Sequence, residues 1–257
     1  MEKRLRAFFA AILLLALPLS SGAQGKFYTR KVRLADFTTV VTKVVLGGQS
    51  LLDITLKDEI SGRWRISPYE YCSVREYENL KDNPSLYFLR LVRDEGVAFL
   101  CLEKGGREDD ADVLKRGFEV VRIAISSESS PSGREFAFMG AFVDIMQTYV
   151  EDAMVSDRKG YAGLKLYCRS NLEGKTIVLD PDRGDELFIS GAKDTLVGIV
   201  IAPSDISFKT KCYKMLISAD THQLYHYAAA RYAGPADKAF SSKEIKYFER
   251  RNGVIAK

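Results

Sequence analysis

Histidine is nearly absent from this chain. His222 and His226 are the only two in 257 residues. A Ser-His-Asp or Cys-His catalytic system therefore has little to draw on. The pair is spaced i, i+4, which can place both rings on one face, but a zinc site needs three or four ligands. Only Asp220 stands nearby. The expectation is that His222 is a turn residue and His226 an ordinary strand residue.

Cysteine is scarce too. Cys72, Cys101, Cys168 and Cys212 are too few for a disulfide framework, and none forms a CxxC pair. Cys101 lies in the apolar run Phe99–Leu102 and reads as a small buried hydrophobe. Buried free thiols are the favoured reading, although three complete pairings remain open.

Phosphate-binding, dinucleotide-binding, nucleophile-elbow and HExxH motifs are all missing. So is any Asn-x-Ser/Thr acceptor, because Pro84 interrupts Asn83–Ser85. The residues call for no cofactor and no metal, and no catalytic residue is assigned.

Strong net charge is lacking. The formal +4 includes about +2 contributed by Lys3, Arg4 and Arg6 against Glu2. The remaining +2 argues against nucleic acid as a partner, which needs a concentrated basic face.

A long apolar run occurs only once, from Phe8 to Leu19. It is too short to span a bilayer as a helix. With its basic flank before and Ser21 and Ala23 after, it has the pattern of a secretory signal cleaved before Gln24. The expected compartment is the periplasm or surface of a bacterium. No transmembrane segment is expected in the mature chain.

Hydrophobic periodicity organises the rest. Phe37, Val40, Val41, Val44 and Val45, then Leu52, Leu56 and Ile60, recur at helical spacing. They predict one bent helix or two, ending near Gly62. Trp64–Tyr71 reads as a strand, and Ser73–Glu76 as a capping box opening a short helix. Leu86–Val92 and Val97–Leu102 read as a hairpin, followed by a strand from Phe118. After the Ser-rich stretch the pattern restarts, with a strong helix over Phe138–Val150 and a helical piece holding Leu164, Tyr167 and Leu172. Strands follow at Thr176–Leu179 and Leu196–Ile201, separated by a helix capped by Asp182. A hairpin turns at Asp220–His222, and Ser241–Glu244 caps a last helix.

These elements predict an α+β protein of two similar modules, each with a long helix packed on a small, mostly antiparallel sheet. The expected boundaries are 1–23 for the signal, 24–126 for the first module, 127–133 for the linker and 134–257 for the second. Gly62 and Asp82 are 20 residues apart, as are Gly174 and Asp194, which suggests an internal duplication.

The leading functional expectation is a non-enzymatic envelope protein that binds another protein or a small ligand, using the groove between modules. The alternatives are a carboxylate-dependent, glycan-acting hydrolase and a structural subunit of a surface assembly. For the hydrolase, Asp180, Asp182, Asp185 and Glu186 are the first acids to consider. The simpler reading of these acids is a helix N-terminus, where the dipole favours negative charge. The acidic loop from Gly105 to Asp112 reads as a solvated extension.

Overall fold

A computed structural model describes residues 29–48, 50–129, 131–205 and 209–256. The expected signal segment lies outside the described residues. Among those described, the chain is mixed α and β, with two five-stranded sheets and eight α-helices.

The first sheet begins where the sequence pattern pointed to a helix. After α1 (Arg30–Arg33), Thr42–Leu46 forms strand β1. Valines lose side-chain freedom in a helix and fit an extended backbone. Both faces of β1 are covered, Val44 by the main core and Val45 by a smaller apolar cluster. A strand covered on both faces shows no clean alternation, so its run mimics the helical period.

Gly47 and Gly48 then break the chain, and Ser50 caps α2 (Leu51–Arg63) by accepting from the Asp53 amide. The strand expected at Trp64–Tyr71 is displaced to β2 (Tyr69–Ser73). Trp64 instead packs in the core and donates through Nε1 to Ser67. Ser73 and Glu76 form the expected capping box of α3 (Val74–Leu80). β3 (Tyr87–Asp94) and β4 (Val97–Lys104) meet at Glu95 and Gly96, both at positive φ, as a two-residue hairpin turn requires. β5 (Phe118–Ser127) completes the sheet.

The second half runs through α4 (Arg134–Ala137), α5 (Met139–Val155) and α6 (Asp157–Ala162) into a 3-10 helix at Gly163–Arg169. β6 (Thr176–Val178) leads to α7 (Pro181–Ile189), whose cap is Asp180, with Pro181 at the first helical position. The expected cap, Asp182, sits inside the first turn. β7 (Thr195–Ile201), β8 (Lys211–Ser218) and β9 (Leu224–Arg231) follow. The expected capping box at Ser241 opens α8 (Ser242–Glu249), and β10 (Val254–Ile255) ends the series.

The strand orders are β2-β1-β3-β4-β5 and β10-β6-β7-β8-β9. In each sheet the first two pairings are parallel and the last two antiparallel. The sheets are thus mixed, not mostly antiparallel. Their direction pattern matches position by position, but the outer strand enters differently. β2 is laid down between β1 and β3, whereas β10 comes after β9. The 20-residue match from Gly62 and Gly174 therefore aligns β2, an edge strand, with β6, an interior one.

One hydrophobic core includes residues of both sheets. Its shared element is α5, in which ten of 17 residues are buried. A second, smaller core lies under α8, around Leu216 and Phe248. No helix among the described residues is long and apolar enough to cross a membrane.

Candidate functional site at the seam between the sheets

A concavity shared by both halves lies where β5 approaches β7. It is a groove of about 270 Å3. Ile125 of β5 and Ile199 and Ile201 of β7 line it together with Phe138 and Phe142. All five are buried and form the apolar floor. The rim is polar and exposed, with Ser132, Ser204 and Lys238. Ser204 ties the β7–β8 loop to the stretch after β5, accepting from Ser129 and lying within 3.4 Å of Ser127 Oγ.

Arg134 stands at the groove with its charge balanced. Its guanidinium pairs with Asp185 of α7 at 2.6 Å and lies 5.2 Å from the centre of the Phe138 ring. Lys238 also borders the groove, but no carboxylate pairs with it among the described residues; its nearest ring is Tyr232, at 5.9 Å.

Behind the floor, a chain of contacts crosses the molecule. Phe138 stacks on Phe188 of α7 at 3.8 Å, and Phe188 stacks on His222 at 5.3 Å. His222 sits in the β8–β9 turn at φ 57°, and its Nδ1 lies 2.7 Å from Asp144 of α5. Asp144 also accepts from Arg63 of α2 at 3.0 Å, and Arg63 pairs with Glu59 at 2.5 Å. The hydrogen bond that Arg63 donates to Glu59 and the charge of Asp144 raise the Arg63 pKa against the cost of burial. Gly140 makes room for this pair: a Cβ there would come within 2.6 Å of both Arg63 Nε and Glu59 Oε2.

The His222–Asp144 pair resembles the orienting half of a catalytic triad, but the other half is not assembled. No hydroxyl or thiol bonds to the His222 ring among the described residues. The pair instead fastens a turn of the second sheet to the helix that both sheets share.

The four acids singled out in the sequence go separate ways. Asp180 caps α7 by accepting from the Arg183 amide at 2.9 Å. Asp182 and Glu186 are exposed, and Asp185 is the partner of Arg134. His226 is not near His222; it is buried under α8 against Phe248, at 5.0 Å. Asp220 accepts from Ser218. No group of three or more metal-ligating side chains gathers among the described residues.

All four cysteines are free thiols. Burial raises the pKa of Cys72 and Cys101, and lifts that of Cys212 to about 11. These three stay protonated at neutral pH and are poor nucleophiles. Cys168 donates to the Tyr227 carbonyl at 2.8 Å.

Neither a family model, nor a curated protein, nor a solved structure matches this chain. The class is therefore defined by the molecule itself: an α+β protein of two mixed sheets joined through one core, with a small amphipathic groove at the seam.

Proposed function

We propose that the chain is an exported, non-enzymatic binding protein of the cell envelope, and that the seam groove holds its ligand. The ligand class is a small organic anion with an apolar body. One observation carries this reading: the groove combines a floor of Phe138, Phe142, Ile199 and Ile201 with a cation, Lys238, that no carboxylate pairs with among the described residues. Its volume is near the lower end for small-molecule sites, which suits a short acid. Arg134, already neutralised by Asp185, positions the floor through Phe138 and leaves the anion to Lys238.

Export rests on the basic start, the apolar run and the small residues before Gln24. In this reading the two sheets descend from one module, with the outer strand of the second supplied by a later segment. The shared strand directions support that descent.

The test is titration of the purified chain with benzoate and with the series butyrate to octanoate, each beside its matching alcohol. Acids should bind more tightly than alcohols, with affinity rising along the series as more CH2 groups are buried, at about 0.8 kcal/mol each. Lys238→Gln should erase the preference for acid over alcohol. Equal binding of acid and alcohol by the unaltered chain, or no binding at all, would remove the proposal.

A further inference from the structure

A second concavity, of about 370 Å3, lies where α5, the 3-10 helix and the start of β9 meet. It shares no residue with the seam groove, and its volume falls within the range of small-molecule sites. Ile145 of α5 and Leu224 of β9 are buried at its base. Tyr167 and Tyr225 add half-buried rings, so most of the wall is carbon. The polar members are Thr148, Ser170, Asn171 and Gln223.

Existing hydrogen bonds sort these groups into donors and acceptors. Thr148 donates its hydroxyl proton to the Asp144 carbonyl, Ser170 to the Tyr167 carbonyl and Tyr167 to the Asp152 carboxylate, each at 3.0 Å. A hydroxyl whose proton is committed is left as an acceptor. The two carboxamides are left the other way. Asn171 donates once, to Glu173, and its oxygen accepts from the Glu173 amide. The Gln223 oxygen accepts a long contact of 3.4 Å from the Tyr225 hydroxyl, while its Nε2 has no partner among the described residues. A carboxamide nitrogen carries two N–H groups, so Gln223 and Asn171 both have donors to offer.

No charged side chain lines the pocket. A charge carried into it would shed water and touch no counter-ion. Of the charges nearby, Asp144 holds Arg63 and His222, Asp152 holds Lys159, and Lys175 pairs with Asp194. Glu173 is exposed. Arg251 lies behind the wall: its Nη2 donates to the Ser170 and Tyr225 carbonyls, and its Nη1 is out of reach of solvent. Those two carbonyls are thereby taken, and the hydroxyls remain as acceptors. A ligand that fits is therefore neutral and mainly apolar, and it carries both an acceptor and a donor. A sugar has hydroxyls around its whole ring, and the carbon wall would leave most of them unpaired.

We propose that this pocket binds a small neutral ring compound with an amide-type edge, a C=O or ring-nitrogen acceptor beside an N–H donor. Aromatic carboxamides and nucleobases share that edge. The acceptor takes an N–H of Gln223, the donor reaches the Thr148 hydroxyl oxygen, and the ring rests on Ile145, Leu224 and the two tyrosines. The site does not depend on the function assigned to the seam, and its ligand differs from that of the seam in carrying no charge.

The test titrates the purified full chain, unaltered and as Lys238→Gln, which removes the seam cation. The probes are nicotinamide and uracil, each beside its carboxylate counterpart, nicotinate and orotate. At least one neutral probe should bind with a Kd below about 1 mM, equally in both chains. In Lys238→Gln its carboxylate counterpart should bind at least about tenfold more weakly, since the charge finds no counter-ion. Gln223→Met and the near-isosteric Thr148→Val, both at exposed positions, should each weaken the neutral probe about fivefold, the loss of one hydrogen bond. A preference for nicotinamide assigns the site to aromatic carboxamides, and a preference for uracil assigns it to nucleobases. The proposal is overturned if neither neutral probe binds below about 1 mM, if Lys238→Gln abolishes the binding, or if the carboxylate binds as tightly in that chain. Affinity that either pocket variant leaves unchanged would overturn it too.

Discussion

Replacing His226 with Phe should remove a large acid-sensitive component of stability. The ring is 6 % exposed, and neither nitrogen has a hydrogen-bond partner among the described residues. Phe248 meets it edge-on, and Tyr247 also borders it. The charged groups that face it are Glu244 of α8, Lys214 of β8 and Arg251 just beyond α8. Desolvation, reinforced by the two cations and opposed by Glu244, lowers its pKa from 6.5 to about 4.

Above about pH 6.5 the imidazole is neutral both folded and unfolded, and the stability is complete. Below it the unfolded chain takes up a proton that the folded chain refuses until about pH 4. Stability is therefore lost as pH falls through that window, and about 3 kcal/mol is at stake at 1.36 kcal/mol per pH unit. Urea unfolding at a series of pH values, for the unaltered chain and His226→Phe, isolates the effect. Depressed carboxylates that do not face the ring, such as Asp220, contribute to both proteins and cancel in the difference. Phe should match or exceed His at pH 7.5, since no partner is orphaned, and the gap should widen toward pH 4. A gap that stays constant across that range would refute the argument.

Two further tests address the seam and the loop. Phe188→Ala removes the ring between Phe138 and His222 and should cost about 3 to 5 kcal/mol in urea unfolding; a loss under about 1 kcal/mol would mean that the stack carries little. Gly106→Ala places a methyl against a backbone carbonyl at φ 121°. It should cost more than about 2 kcal/mol, whereas Gly133→Ala, where nothing lies within 4 Å, should cost less despite its own positive φ.

The parts of the fold legible in the sequence were those decided within a few residues. Ser73–Glu76 and Ser241–Glu244 hold both halves of their capping boxes in four residues. Glu95–Gly96 carries its own turn geometry. β1 was illegible because a doubly buried strand has no alternation to read, and β10, two residues long, offers no period at all. The seam was out of reach for another reason. His222 and Asp144 are 78 residues apart, and Arg134 and Asp185 are 51 apart. Only the tertiary fold brings them together, so the acids near Asp180 looked like a cluster while their actual partners were invisible. Arg134, Asp144 and Lys238 carried no local signal that could have singled them out.

The late origin of β10 also sets an order of assembly. During synthesis the first sheet owns all five of its strands once the chain has passed Ser127. The second sheet leaves the outer edge of β6 unpaired until Val254 and Ile255 emerge. For the length of more than half a module, the nascent chain therefore presents one finished sheet and one open to foreign strands. Any factor that guards this protein during its synthesis would have its work at the β6 edge, and it would be released by the last strand to arrive.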